Sequence, residues 1–417
     1  MSIEALAHDL RGAAVGMADV PVRGVQRIEV VLPAPIRLSE FTKARREARR
    51  PVAYRSPDFA AQFDDDTLFY DAFRSSDGRI VQCGPPFFNL RADLQQMQLS
   101  ACTTGLASRF ELRELDRHGQ IHLPVTASTD ALRLAIRFGD TSIAVQPNEC
   151  NLFQGRRVLF TLSKNNRLDW IKDWIRFSRD IHGADAVLIY DNGSTAYSID
   201  QLAAAVAEVD GIAVARVVSW PFKYGPQGLD ARRFWDSDFA QHGAWEHSRR
   251  RFLERAASVQ VSDVDELVLA RDGQSVFDAV ERDRFGVFRY AGRWVVGIAG
   301  REPLPGQADR RHRDYSVTQR ERLVRRFGFL PPVDADRCMP KWSVVPSRCP
   351  DRAQWRVHVI GGYLPSRRQA AAFSYRHFRE IADNWKYERL DRVAFDPARH
   401  EEDGLLARQL AAVRWDR

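Results

Sequence analysis

The sequence predicts an α/β protein: a mostly parallel sheet with flanking helices over residues 151–390, preceded by a β-rich accessory domain over 1–150 and followed by a helical tail over 391–417. Three observations carry that expectation. Between Val158 and Leu269, short apolar runs alternate with longer amphipathic stretches, as in β-α-β units whose strands are buried on both faces. Before Asn151 the rhythm differs: short segments are separated by the turn signals Ser76-Asp77-Gly78, Gly84-Pro85-Pro86, His118-Gly119 and Gly139-Asp140. The chain's 417 residues, 44% hydrophobic and 28% charged, suffice for two or three units with full cores.

Residues 1 to about 50 end in the basic run Lys43-Ala44-Arg45-Arg46-Glu47-Ala48-Arg49-Arg50, which reads as a solvated, frayed helix face or as a contact with anionic lipid headgroups. Strands are predicted at Arg79–Gln82, Phe110–Leu115 and Leu132–Phe138. Val158–Leu162 opens the second region as a buried strand. A helix follows with Leu168, Ile171, Trp174, Ile175 and Ser178 on one face, stopped by His182-Gly183. Ala186–Tyr190 is the next strand. Ser198 caps a helix running through Val209, and Ile212–Val218 is a third strand. A long helix carrying Phe239, Trp245, His247 and Phe252 then leads to strands at Ser258–Val261 and Leu267–Leu269.

Composition excludes several classes. No stretch approaches the ~20 apolar residues of a membrane span, and Glu4, Asp9, Arg11, Asp19 and Arg23 interrupt any signal-peptide core, so a cytoplasmic location is expected, with the inner face of the membrane if the basic run contacts lipid. Lys and Arg number 62 against 55 Asp and Glu, a net charge of +7. That excess is mild and lacks the aromatic-plus-basic stripe of a nucleic-acid binder, so no nucleic-acid partner is expected. Five cysteines without a CxxC pair indicate neither a disulfide framework nor a zinc module.

Ligands of parallel sheets sit at the carboxyl ends of the strands. Three such ends carry polar clusters: Ser163-Lys164-Asn165-Asn166, Asp191-Asn192-Gly193-Ser194-Thr195 and Asp263-Val264-Asp265-Glu266. Carboxylates two apart on an extended segment point the same way, so Asp263 and Asp265 are placed to address one hard cation, leaving positions open for phosphate oxygens. The plainer reading is a solvated acidic turn, which the apolar strands on both sides argue against.

In this order the clusters resemble glycosyltransferase family 92 and the related family 2-like group. The likeness includes Gln241, Lys341-Trp342-Ser343-Val344-Val345-Pro346 and Val357-His358, and spans roughly residues 155–390. Asn166 and Ala196 depart from it, each standing where the family often has an acid. The resemblance implies the GT-A fold, a Rossmann-like sheet, and a nucleotide-sugar transferase, with a UDP-sugar donor favoured and inversion at the anomeric centre. Ser163, Lys164, Asn165, Asp191 and Asn192 would then line the nucleotide pocket. Asp263 and Asp265 would bind Mn²⁺ or Mg²⁺, with Asp263 also at the donor and Glu266 bracing the loop. His377 would be a further metal ligand, with His358 as its competitor. Arg376 and Arg379 could meet phosphate oxygens. Asp314 is the candidate base for the acceptor hydroxyl, with Glu302 and Asp309 as alternates, and one of Trp294, Trp342, Trp355 and Trp385 is expected to face a glycan acceptor.

Two other readings use the same acids. A nucleotidyltransferase or phosphohydrolase would carry a Gly-rich phosphate loop, and Lys164 follows no GxxxxGK pattern. A non-catalytic carbohydrate- or nucleotide-binding protein would use Asp263 and Asp265 for a structural cation.

Overall fold

The computed structural model describes residues 27–102, 109–124, 130–137, 139–227, 233–304, 310–325, 333–366, 372–381 and 394–416. Asp309 and Trp385 lie outside them. The chain is an α/β protein built on an eleven-stranded central sheet. Its strands in chain order are β1 (Arg27–Val31), β2 (Arg157–Ser163), β3 (Ala186–Asp191), β4 (Val214–Ser219), β5 (Ser258–Val261), β6 (Glu266–Ala270), β7 (Val287–Val295), β8 (Val317–Gln319), β9 (Cys338–Val344), β10 (Phe373–Phe378) and β11 (His400–Glu402). They lie in the order β1-β4-β3-β2-β5-β9-β7-β8-β11, with β10 pairing both β6 and β7. From β1 to β5 every pairing is parallel, so β2, β3, β4 and β5 end at one edge. Beyond β5 the sheet is mainly antiparallel.

Helix α1 (Leu168–Phe177) places Trp170, Ile171, Trp174 and Ile175 against the sheet, and ends through a π turn at Gly183, whose φ of +78° suits a residue without Cβ. Helix α2 (Ile199–Ala207) starts with a capping box between Ser198 and Gln201. Helix α3 (Phe239–Ser248) is buried along its whole length, whereas α4 (Val276–Arg282) and α5 (Gly404–Ala411) each bury one face.

The N-terminal region holds a four-stranded antiparallel sheet (Asp71–Arg74, Ile80–Gly84, Glu111–Leu115, His118–Leu123) and a three-stranded one (Gln98–Ala101, Ala131–Ile136, Gly139–Ala144), around a core of its own. It is keyed to the central sheet by buried polar contacts. Asp71 accepts hydrogen bonds from His247 Nε2 at 2.9 Å and Arg251 at 2.7 Å, and Tyr190 at the end of β3 donates to His247 Nδ1 at 2.6 Å. Burial lowers the His247 pKa against the pull of Asp71, which keeps the ring neutral and fits that donor–acceptor order.

Three elements differ from the sequence reading. β1, inside the span assigned to the accessory domain, is an edge strand of the central sheet, because its parallel partner β4 lies far along the chain. The C-terminal segment is not a tail: β11 closes the other edge, and Leu406 and Leu410 of α5 enter the core. The run 43–50 forms no helix. Arg46 is buried and donates to the carbonyls of Pro86, Asp64 and Thr67, while Arg50 is buried against Asp236. Two of the run's guanidinium groups are thus satisfied inside by carbonyls and a carboxylate, while Lys43, Glu47 and Arg49 stay exposed.

Candidate functional site

At the edge where the parallel strands end, the turn between β5 and β6 carries Asp263, Val264 and Asp265, and Glu266 opens β6. Helix α1 and the segment before β8 hold this turn. Trp174 Nε1 donates to Ser262 Oγ at 3.1 Å, and the buried His312 donates through Nε2 to the Val264 carbonyl at 2.9 Å. Burial lowers the His312 pKa, consistent with a neutral ring donating one N–H.

Register assembles the rest. Glu266 lies opposite His377 in the β6–β10 pairing, and Trp294 lies opposite His377 in the β7–β10 pairing. His377 Nε2 is 3.0 Å from Asp265 Oδ2, and its Nδ1 is 3.7 Å from Glu266 Oε1. Trp294 stacks on the imidazole with ring centroids 4.3 Å apart, and the Arg379 guanidinium covers the indole at 5.0 Å. On β9, Lys341 Nζ sits 2.7 Å from Asp263 Oδ2 and 3.0 Å from Glu266 Oε2. Glu266 Oε2 also accepts the Asp263 backbone N–H at 2.9 Å.

The electrostatics follow from burial among charges. Burial pushes the Glu266 carboxyl up to about 7 against the opposing pull of Lys341. Burial disfavours charge on His377, but the Asp265 carboxylate outweighs it and lifts the ring to about 10. Lys341 is likewise raised once Asp263 and Glu266 overcome its desolvation. Three acids thus meet two cations supplied by the chain.

Asp265, Glu266 and His377 each present one ligand atom, and these atoms lie within 4.8 Å of one another. Two carboxylates and an imidazole are a donor set suited to Mn²⁺ more than to Mg²⁺, which favours oxygen alone. Binding requires His377 in its neutral form. The three residues therefore fit such an ion. Asp263 is not in this group: the 264–265 segment is a turn rather than extended strand, so the two aspartates face different partners, Lys341 for Asp263 and His377 for Asp265. Glu266, expected only to brace the loop, both braces it and offers a ligand atom.

The other two strand-end loops hold each other. Asn165, in the left-handed region at φ 54°, receives Thr195 N–H at 2.7 Å on its side-chain oxygen and donates its own N–H to Ser194 Oγ at 2.8 Å. Asp191 accepts from the Ser194 backbone and hydroxyl, and Asn192 donates to the Trp220 and Phe222 carbonyls. Ser163 Oγ accepts from Asn166, and Lys164 lies between them at the same strand end. Asp191 and Asn192 thus build the rim of the edge, with their polar atoms turned into the loop.

Asp314 Oδ2 caps its own turn by accepting the Arg311 N–H at 2.6 Å, and Arg311 is anchored on Asp173. Glu302 is exposed. His358 is directed to the Pro340 carbonyl, its pKa lowered to about 4 by burial and then by Lys341. Arg376 pairs with Asp403. Trp342 and Trp355 are fully buried against each other, leaving Trp294 as the described tryptophan at the acid cluster. Sequence reasoning gave no role to Lys341 or His312. Lys341 opens the stretch Lys341-Trp342-Ser343-Val344-Val345-Pro346, and a lysine between apolar strand residues is the signal that could have found it. No family model matches the chain, and no curated protein matches it.

Proposed function

We propose that the chain is a cation-dependent glycosyltransferase that takes a sugar from a nucleotide-sugar donor, a UDP-sugar favoured, and passes it with inversion to a glycan acceptor. One observation supports this reading above the others: His377, 112 residues further along the chain, converges on the neighbouring Asp265 and Glu266 at the edge where the parallel strands end. Held there, Mn²⁺ would supply charge neutralisation for the diphosphate leaving group. Glu266 and Lys341 position the loop, and Trp294 holds the His377 ring and offers an aromatic edge to a sugar. Asp314 remains the proposed base through Oδ1, since Oδ2 caps its turn.

A second reading has an observation of its own. Lys341 and His377 already compensate the acids, as in a structural ion network of a non-catalytic binding protein. Thermal stability and donor hydrolysis, measured with Mn²⁺ and UDP-, GDP-, CMP- and dTDP-sugars, separate the two. A folded-state ligand at 100 times its Kd adds about 2.7 kcal/mol. The transferase reading expects a metal-dependent shift with one nucleotide family, lost in Asp265→Asn and His377→Gln. No shift with any donor, in protein shown to be folded, leaves the cluster structural.

A further inference from the structure

Successive side chains of a strand point to opposite faces. Trp294 and His377 belong to the acid cluster, and their chain neighbours Arg293 and Arg376 line a cleft on the other face of β7 and β10. The cleft measures about 1160 Å³, far more than a single ion requires. Five arginines line it: Arg271, Arg289, Arg293, Arg337 and Arg376. Glu401 pairs with Arg293 and Asp403 with Arg376. The other three are exposed and form no ion pair with a carboxylate among the described residues; Arg289 donates only to the His358 carbonyl, at 3.1 Å. Of the two acids in the cleft, Asp334 caps the backbone N–H groups of Arg322 and Asp336, and Glu321 leans toward Arg293 at 4.0 Å.

The same cleft carries Phe285, Leu323 and Leu364, exposed by 49%, 61% and 80%. They are three of the eight large apolar side chains exposed among the described residues. Uncompensated guanidinium groups in one concavity repel each other, and bare leucines beside them are held against water. A soluble anion answers only the first, and an apolar partner only the second. A bilayer with anionic headgroups answers both, since phosphates pair with arginine while apolar tips enter the interface.

We propose that this cleft is a docking surface for an anionic phospholipid bilayer. No helix among the described residues is long and apolar enough to cross a membrane, and the contact proposed is with the bilayer surface. It moves the lipid contact away from residues 43–50, where Arg46 and Arg50 are committed to the interior.

The test is co-sedimentation of the full chain with vesicles of phosphatidylcholine alone and with a third phosphatidylserine. The protein is expected to sediment with the anionic vesicles only, and less as salt rises. Arg289→Ala/Arg337→Ala should lower partitioning roughly 25-fold, about fivefold per arginine. Leu364→Ser should lower it independently of salt, and Lys43→Ala/Arg45→Ala/Arg49→Ala should leave it unchanged. All these positions are on the surface, and circular dichroism checks their folding. Absence of binding, equal binding to neutral vesicles, or loss in the 43–49 variant instead overturns the proposal. A thermal shift with tripolyphosphate and no vesicle binding also overturns it, in favour of a soluble phosphate ligand.

Discussion

Replacing Lys341 with methionine removes a buried ammonium that serves two carboxylates while keeping an apolar stem of similar length. Lys341 is 1% exposed, with Nζ 2.7 Å from Asp263 and 3.0 Å from Glu266. At an effective dielectric of ~20 each contact is worth about 5–6 kcal/mol of Coulomb energy. Desolvation of the ammonium and of Glu266 offsets much of this, so the expected net cost of Lys341→Met is about 3–5 kcal/mol. Glu266 carries most of it: the Asp263 side chain, 35% exposed, can hydrate, whereas that of Glu266, 2% exposed, must take up a proton. The cost is therefore read above pH 7, where the carboxyl held near 7 beside Lys341 is ionised. Urea unfolding followed by tryptophan fluorescence, in metal-free buffer, measures the loss. The double variant Lys341→Met/Glu266→Gln should recover most of it, because the buried charge and its counter-charge go together. A loss below about 1 kcal/mol, or simple additivity in the double variant, would refute the argument and mean that water already screens the cluster.

Three further outcomes are expected. Arg50→Met breaks a buried bidentate pair with Asp236, whose contacts are 2.6 and 3.1 Å, and should cost about 3–5 kcal/mol by urea unfolding; a matched apolar replacement of both partners should restore most of it. Burial alone would raise the Asp180 carboxyl, but hydrogen bonds from Arg179 and Arg414 take it down to about 2. Its contribution is therefore complete above the unfolded value of ~3.9 and is lost as pH falls toward 2. With Arg414 largely exposed, that is about 1 kcal/mol, and Asp180→Asn should lack this step in acid unfolding followed by circular dichroism; superimposable acid profiles would remove the basis for it. In Gly292→Ala the new Cβ would lie 2.2 Å from the Tyr375 ring, whose hydroxyl is tied to the Met339 carbonyl. A loss of about 1–3 kcal/mol and an altered near-UV spectrum are expected, and an unchanged melting temperature would mean that the ring has room.

The parallel half is legible in the sequence because its strands are continuous apolar runs: β2 and β3 sit where Val158–Leu162 and Ala186–Tyr190 place them, and the Ser198 cap starts its helix. The antiparallel half is not. Its partners lie far apart, as with Glu266 opposite His377, and register across such distances leaves no local pattern. The acid segment is legible as chemistry but not as geometry, since a turn in place of extended chain separates Asp263 from Asp265. Lys341 is hidden for the same reason: its counter-charge lies 78 residues away. The run 43–50 misleads because a carbonyl-lined socket for a guanidinium, such as that of Arg46, has no signature in charge composition. Asp191 and Asn192, by contrast, belong to residue types that build turns, and that is how their side chains are used.

β1 emerges from the ribosome well before β4, the strand it pairs with. At ~5–20 residues per second that interval is on the order of 10–40 s, during which a short segment must remain unpaired. Its alternation of Arg27 and Glu29 with Ile28 and Val30 suits the wait, because charges on one side discourage premature pairing with other nascent strands. Once β4 forms, β1 seals an edge that would otherwise present the backbone of an almost wholly buried strand to other chains. Deletion of residues up to 31 should therefore show itself first as loss of soluble yield during synthesis.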